Sequence, residues 1–177
     1  MENKIIRVIT LYQPWATLLA YGIKQNETRP KPTSHTAEKG IYLIHAAKKW
    51  TKEQSDLCLT EPFKSNLENL GYPASLESHY ASVNGLDGVV FPLGQIIGSF
   101  EVKECAEVIG YHQRLTILSN DMKFDMSDPE LKFGDYTMKR SIWIGQNHQI
   151  LQNPIPYKGQ QGYYAKFKGD INQLKFL

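Results

Sequence analysis

Ile and Val crowd residues 4–11, and this β-branched run predicts a first strand. Pro14 then suits the first turn of a helix, where its missing donor costs little. Trp15, Leu18 and Leu19 recur at helical spacing, and Gly22 stands where a C-terminal cap belongs. A short amphipathic helix is predicted over residues 14–21. Residues 24–29 read as extended, ended by Pro30 and Pro32. Side chains of a strand repeat every two residues, so Glu27 and Arg29 share one face and Thr28 takes the other. The nearly all-apolar Gly40–Ala46 predicts a central strand, followed by a helix over residues 48–59.

The pattern weakens over residues 61–92. Pro62, Gly71, Pro73, Gly85 and Gly88 punctuate short helical pieces such as residues 63–70, the signature of a loop-rich insertion. A long strand resumes at residues 94–108, with Gly98 as a bulge. Residues 115–128 are polar and acidic and read as a surface excursion. Strands follow at residues 141–144, carrying Trp143, and at residues 150–155. After a Pro/Gly-rich turn, strict alternation over residues 163–168 closes the set. About six strands with short helices between them predict a small α+β barrel. The chain reads as one domain over residues 1–177 with an insertion at about 61–92.

At 177 residues the chain can bury a sizeable core. The formal net charge of +2 is too small for a protein that coats nucleic acid, so any polyanion contact must come from a local patch. No stretch approaches the ~20 apolar residues of a membrane span. Residues 1–7 lead into no run of signal-peptide length, which places the expectation in the cytoplasm, away from membranes. Cys58 and Cys105 match no metal or redox spacing and are expected as reduced, partly buried thiols. His35, His79, His112 and His148 share no ligand spacing. Asp121, Asp125 and Asp128 lack the glycine and terminal Glu of an EF-hand loop. Neither a metal nor a cofactor is expected.

Lys24, Glu27 and Arg29 gather a base, an acid and a fixed cation just past a helix end. They form either an ion-pair cluster holding that helix, or a binding site. In the second case Arg29 offers a fork of donors to phosphate or a base edge. Glu27 accepts from an exocyclic amine, and Lys24 serves as a point charge or, desolvated, as a general base. Tyr12 and Gln13 precede the helix and reach the same region, where an aromatic ring beside cations suits nucleobase stacking. Trp15 reads as core or as a stacking platform. His45, inside an apolar strand, reads as a satisfied core histidine or a cleft residue. Lys48, Lys49 and Lys52 are a solvated face or a set of phosphate contacts. Lys139 and Arg140 form a second patch near Tyr136, and Gly134-Asp135-Tyr136 reads as a turn or a ligand-contacting loop.

Leu11-Tyr12-Gln13-Pro14-Trp15-Ala16, Gly22-Ile23-Lys24 and Glu27-Thr28-Arg29 together resemble the ASCH domain, a branch of the PUA-like superfamily. Leu43-Ile44-His45-Ala46-Ala47-Lys48, the strand around Gly98, Phe133-Gly134-Asp135-Tyr136, Arg140 to Trp143 and the tail from Pro154 to Gly162 extend the likeness to the longer bacterial and phage-type members. The resemblance implies a PUA-like mixed β-barrel with a cleft beside the first helix and the Lys24–Arg29 segment. It implies RNA, single-stranded nucleic acid or a modified nucleoside as partner. Some relatives look like amidohydrolases acting on acylated cytidine, and a ribonuclease activity is proposed for others. The amidohydrolase-like members carry a nucleophilic Thr where Glu27 stands here, so that covalent route is not carried over. Lys24 and Glu27 remain as an acid/base pair for any hydrolase reading. A third reading, a protein-interaction module in transcriptional regulation, follows from the larger eukaryotic relatives.

Overall fold

A computed structural model describes residues 6–30, 37–72, 91–159 and 165–177. Among these lie eight strands, three short α-helices and two 3-10 turns, a mixed α+β fold. In chain order they are β1 (Arg7–Leu11), α1 (Trp15–Ala20), β2 (Glu27–Arg29), β3 (Gly40–Ala46), α2 (Lys52–Cys58) and α3 (Phe63–Asn69). After these come β4 (Gln95–His112), β5 (Leu115–Leu118), β6 (Lys123–Asp125), β7 (Ser141–Pro156) and β8 (Ala165–Lys166), with the 3-10 turns at Pro129–Lys132 and Ile171–Gln173. Most of the predicted insertion, together with Tyr163 and Tyr164, lies outside the described residues. No helix among the described residues is long and apolar enough to cross a membrane.

The sheet runs β2-β7-β4-β3-β1-β8, and β5 and β6 extend from the far half of β4. Among the described residues only β1 and β3 pair in parallel, with Val8 opposite Leu43 and Ile9 opposite Ile44. The long strands β4 and β7 form the spine, paired from Gln95–Pro156 to Glu107–Ser141. Among the described residues no backbone ladder joins β2 to β1, so the hydrogen-bonded sheet is open where a closed barrel was expected. It curls nonetheless: Arg29 Nη2 of β2 donates to the Thr10 carbonyl of β1 at 3.3 Å, although these strands stand far apart in the sheet order.

Helix α1 fills the hollow of this curl. Six residues are too few to hold a helix alone in water, so packing must supply its stability. Ala16, Leu19 and Ala20 join Ile9, Tyr42, Phe100 and Trp143 in the central core. Leu18 turns the other way, into a cluster with Phe63, Leu67 and Phe133. Leu18 and Leu19 are both fully buried, and each such burial contributes about 1.5–3 kcal/mol. The predicted amphipathic helix is therefore apolar on two faces, because α2 and α3 cover the side opposite the sheet.

Other differences have local causes. The helix expected at residues 48–59 begins at Lys52, because Thr51 and Gln54 form a reciprocal capping box. The predicted strands at residues 141–144 and 150–155 are one strand that bends through register shifts against β4. The supposed excursion at residues 115–128 holds the hairpin β5–β6, whose Thr116 and Leu118 are buried. Gly98 does mark a bulge, as β3 pairs Ile44 with Gly98 but His45 with Ile96. A Cβ there would stand 2.4 Å from the Gln149 carbonyl oxygen and 3.0 Å from Ala20 Cβ. Glycine thus lets α1 sit directly on the spine. Gly98→Ala should lower stability by about 1–3 kcal/mol, read as a lower urea midpoint at unchanged slope. An unchanged midpoint would show that the β4–β7 spacing yields freely.

Candidate functional site

The segment between α1 and β2 has little regular structure, and a remote carboxylate fixes its path. Glu130, in the first 3-10 turn, accepts from Gln25 N at 2.8 Å, Asn26 N at 2.9 Å and the Tyr136 hydroxyl at 2.8 Å. The Asp128 side chain starts that turn by accepting from Glu130 N at 2.9 Å. Asn26 reaches across to β7, where its Oδ1 accepts from Gly145 N at 3.1 Å. Burial pushes the Tyr136 hydroxyl well above the usual phenol range, and the Glu130 charge adds to the effect. It therefore stays a donor to Glu130.

So anchored, the chain delivers Lys24, Glu27 and Arg29 to one place. Glu27 Oε2 lies 3.3 Å from Lys24 Nζ, and Oε1 lies 3.0 Å from Arg29 Nε. The second approach is an ion pair without hydrogen-bond alignment, for Arg29 Nε has no hydrogen-bond partner among the described residues. Lys24 is 1% exposed and also donates to the Asn26 carbonyl. Arg29 lies over the Trp143 ring, 5.8 Å from its centroid. Glu27 and Arg29 do share a face, as the two-residue repeat predicts.

These side chains border a cleft of about 460 Å³. Tyr12, Trp15 and Phe63 line it, together with Lys132, Phe133 and Asp135 of the turn that follows Glu130. Trp15 packs edge-on against Phe63 at 6.0 Å, so it serves core and cleft at once. Thr28 also borders the cleft, where its hydroxyl accepts from Asp135 N at 3.0 Å. Its place on the opposite strand face is therefore the rim, not the far side of the sheet. Asp135 is ion-paired with Arg140, and hydrogen bonds from Thr137, then Arg140, hold its carboxyl below the usual range.

A second cleft, of about 920 Å³, adjoins the first, and Thr10 and Tyr12 line both. His45 and Lys48 belong here, with Lys49, Tyr157 and Lys158. Of the residues singled out in the sequence, Tyr12, Trp15, Lys24, Glu27 and Arg29 meet at the first cleft, and His45, Lys48 and Tyr12 at the second. Gln13, Tyr136 and Arg140 line neither. Gln13 is fully buried, its amide accepting from Thr17 N at 3.1 Å and donating to the Pro92 carbonyl at 3.2 Å. Tyr136 is buried beneath Glu130, and Arg140 steadies the rim through Asp135.

Glu130, Lys132 and Phe63 carry no site signal in the sequence, and Phe133 stands out only within the Phe133–Tyr136 stretch that resembles the family. Asp128-Pro129, a helix-start pair, was the one local sign of the turn that carries most of them. Cys58 and Cys105 are free thiols, and burial pushes Cys58 up to about 12. Among the described residues no three His, Cys, Asp or Glu side chains are grouped to hold a metal ion.

The family model of the ASCH domain matches residues 9–159, a span that holds every residue lining either cleft. The chain belongs to the ASCH domain family. No curated protein matches it.

Two outcomes test this construction. Glu130→Ala leaves two main-chain donors and the Tyr136 hydroxyl without their acceptor, and should cost at least about 3 kcal/mol, against about 1 kcal/mol for Tyr136→Phe. Equal losses would mean that the carboxylate holds nothing but the phenol. Burial also lowers the values of His45 and His148 from 6.5; at His148 the Gln25 carbonyl opposes this and Lys24 adds to it. The unfolded chain then takes up more protons than the folded one as pH drops through 6.5. Stability from this source is complete above that value and declines below it. Urea melts at two pH values either side of 6.5 should show the loss, and His45→Gln with His148→Gln should shrink it. A difference untouched by both substitutions would assign the acid sensitivity to other groups.

Proposed function

We propose that the protein binds RNA or a modified nucleotide, seating one nucleobase in the cleft bordered by Lys24, Glu27 and Arg29. The observation that carries this reading is the Glu27 carboxylate, held between two cations at an opening lined by Tyr12, Trp15 and Phe133. A carboxylate accepts from exocyclic base amines, as with cytosine. Aromatic rings at the same opening supply stacking worth ~1–3 kcal/mol per base. The cleft volume of about 460 Å³ falls in the range of small-ligand sites. ASCH domains are associated with nucleic-acid binding, which favours the same class of ligand. In this reading the curled sheet is a PUA-like barrel acting in the cytoplasm as a single domain.

Binding is favoured over hydrolysis. Lys24 Nζ is already committed to the Asn26 carbonyl and to Glu27, and the Thr28 hydroxyl is tied to Asp135 N. Both side chains thus hold the site together, which supports a binding role.

Calorimetric titration of nucleosides, acylated and methylated cytidines among them, and of short RNA tests the proposal. Glu27→Gln should weaken amine-bearing bases selectively, by about 1–3 kcal/mol. Tyr12→Ala should weaken all bases by a similar amount. Failure of every nucleoside and oligonucleotide to bind would leave the protein-interaction reading. A chromatographic product that disappears in Lys24→Ala would establish the hydrolase instead.

A further inference from the structure

The second cleft has a different character from the first. Its lining includes Lys48, Lys49 and Lys158 and no acidic residue among those described. All three lysines are exposed. Lys48 and Lys158 make no ion pair among the described residues, and Lys49 is felt only electrostatically by the exposed Glu53. A concave site with one sign of charge concentrates anions.

An independent observation comes from the floor of the cleft. His45 is 3% exposed and lines the cavity, between Thr10 and Tyr157. Its Nδ1 lies 3.0 Å from Thr10 Oγ1, while Nε2 has no hydrogen-bond partner among the described residues. The Tyr157 main chain is near enough to influence the ring, yet forms no hydrogen bond of ordinary geometry with Nε2. Buried side-chain nitrogens are rarely left unpaired, and an exception calls for an explanation. With the Thr10 hydroxyl donating to Nδ1, the neutral ring carries its proton on Nε2, a donor suited to a phosphate oxygen.

We propose that the cleft of His45, Lys48, Lys49 and Lys158 binds phosphate, taking the phosphate attached to the base seated beside Glu27. The coupled form rests on the nucleobase reading above; the phosphate site does not. Thr10 joins the two clefts, its carbonyl accepting from Arg29 and its hydroxyl meeting His45. The phosphate comes from one of two sources, the phosphate chain of a free nucleotide or the phosphodiester of a single strand.

The test uses the full chain and Lys48→Ala/Lys158→Ala, which alters only exposed side chains. Tripolyphosphate alone should bind the parent protein, and the double variant should lose roughly tenfold or more in affinity. His45 ring resonances should move on tripolyphosphate addition in the parent protein. Nucleoside triphosphates and short single-stranded RNA then separate the sources. A gain of triphosphate over nucleoside, lost in the double variant, assigns a free nucleotide. For a strand, the dependence of log K on log salt should flatten by about 0.7 per lysine removed. Equal affinity of the parent and the double variant for tripolyphosphate, or no binding by either, overturns the proposal. Lysine-dependent tripolyphosphate binding with no base preference and no effect of Glu27→Gln would uphold the phosphate site while refuting the nucleobase reading.

Discussion

The hydrogen bonds accepted by Glu130 are the constraint on which the rest of the site depends. A chain leaving a helix with only a three-residue strand ahead of it has few internal bonds to fix its course. The Glu130 carboxylate fills that gap by holding two successive main-chain donors, Gln25 N and Asn26 N. Hydrogen bonds to a charged group contribute more than neutral ones, about 1.5–3 kcal/mol each. With residues 25 and 26 held, Asn26 bridges to β7 and β2 falls into register, Glu27 opposite Trp143 and Arg29 opposite Ser141. The turn that carries Glu130 and the residues just after it also supply Lys132, Phe133 and Asp135 to the cleft rim. One local element thereby sets both walls.

Placing Lys24 and Glu27 almost out of water carries a desolvation cost, which mutual attraction offsets only when geometry is good. Here each charge has more than one partner. Glu27 faces cations on both oxygens, Lys24 has a carbonyl as well as a carboxylate, and Arg29 has Thr10 and the Trp143 face. Such mutual bracing fixes the geometry of the cluster, the preorganisation that the proposed base-binding role calls for.

What could be read from the chain follows the range of the forces involved. Gly40–Ala46 was legible to the residue, because a strand buried from Tyr42 to Ala46 reads as a nearly continuous apolar run. The shared face of Glu27 and Arg29 followed from a two-residue repeat. The β5–β6 hairpin was hidden because its strands are short and the polar residues around them dominate the local pattern. The continuity of β7 was hidden by Gln146, Asn147 and Gln149, polar residues on a strand that runs out of the core. Glu130 left almost no trace, since it acts on main-chain groups more than a hundred positions away, and main-chain donors have no residue signature. Gln13 misled for the converse reason: a polar side chain beside a helix start suits a cleft as well as it suits the Thr17 amide it holds.

Tyr12 is a wall common to both clefts, about half exposed, standing between a set of charges of both signs and a positive one. A ligand on one side that turned the ring would change the wall it offers to the other. Linkage then requires the influence to run equally in both directions, as a coupling free energy typically of 1–3 kcal/mol. A ligand that reaches past the ring would gain from both cavities at once, whereas two small molecules would contend for its position. A single tyrosine can in this way distinguish a connected ligand from its separate parts.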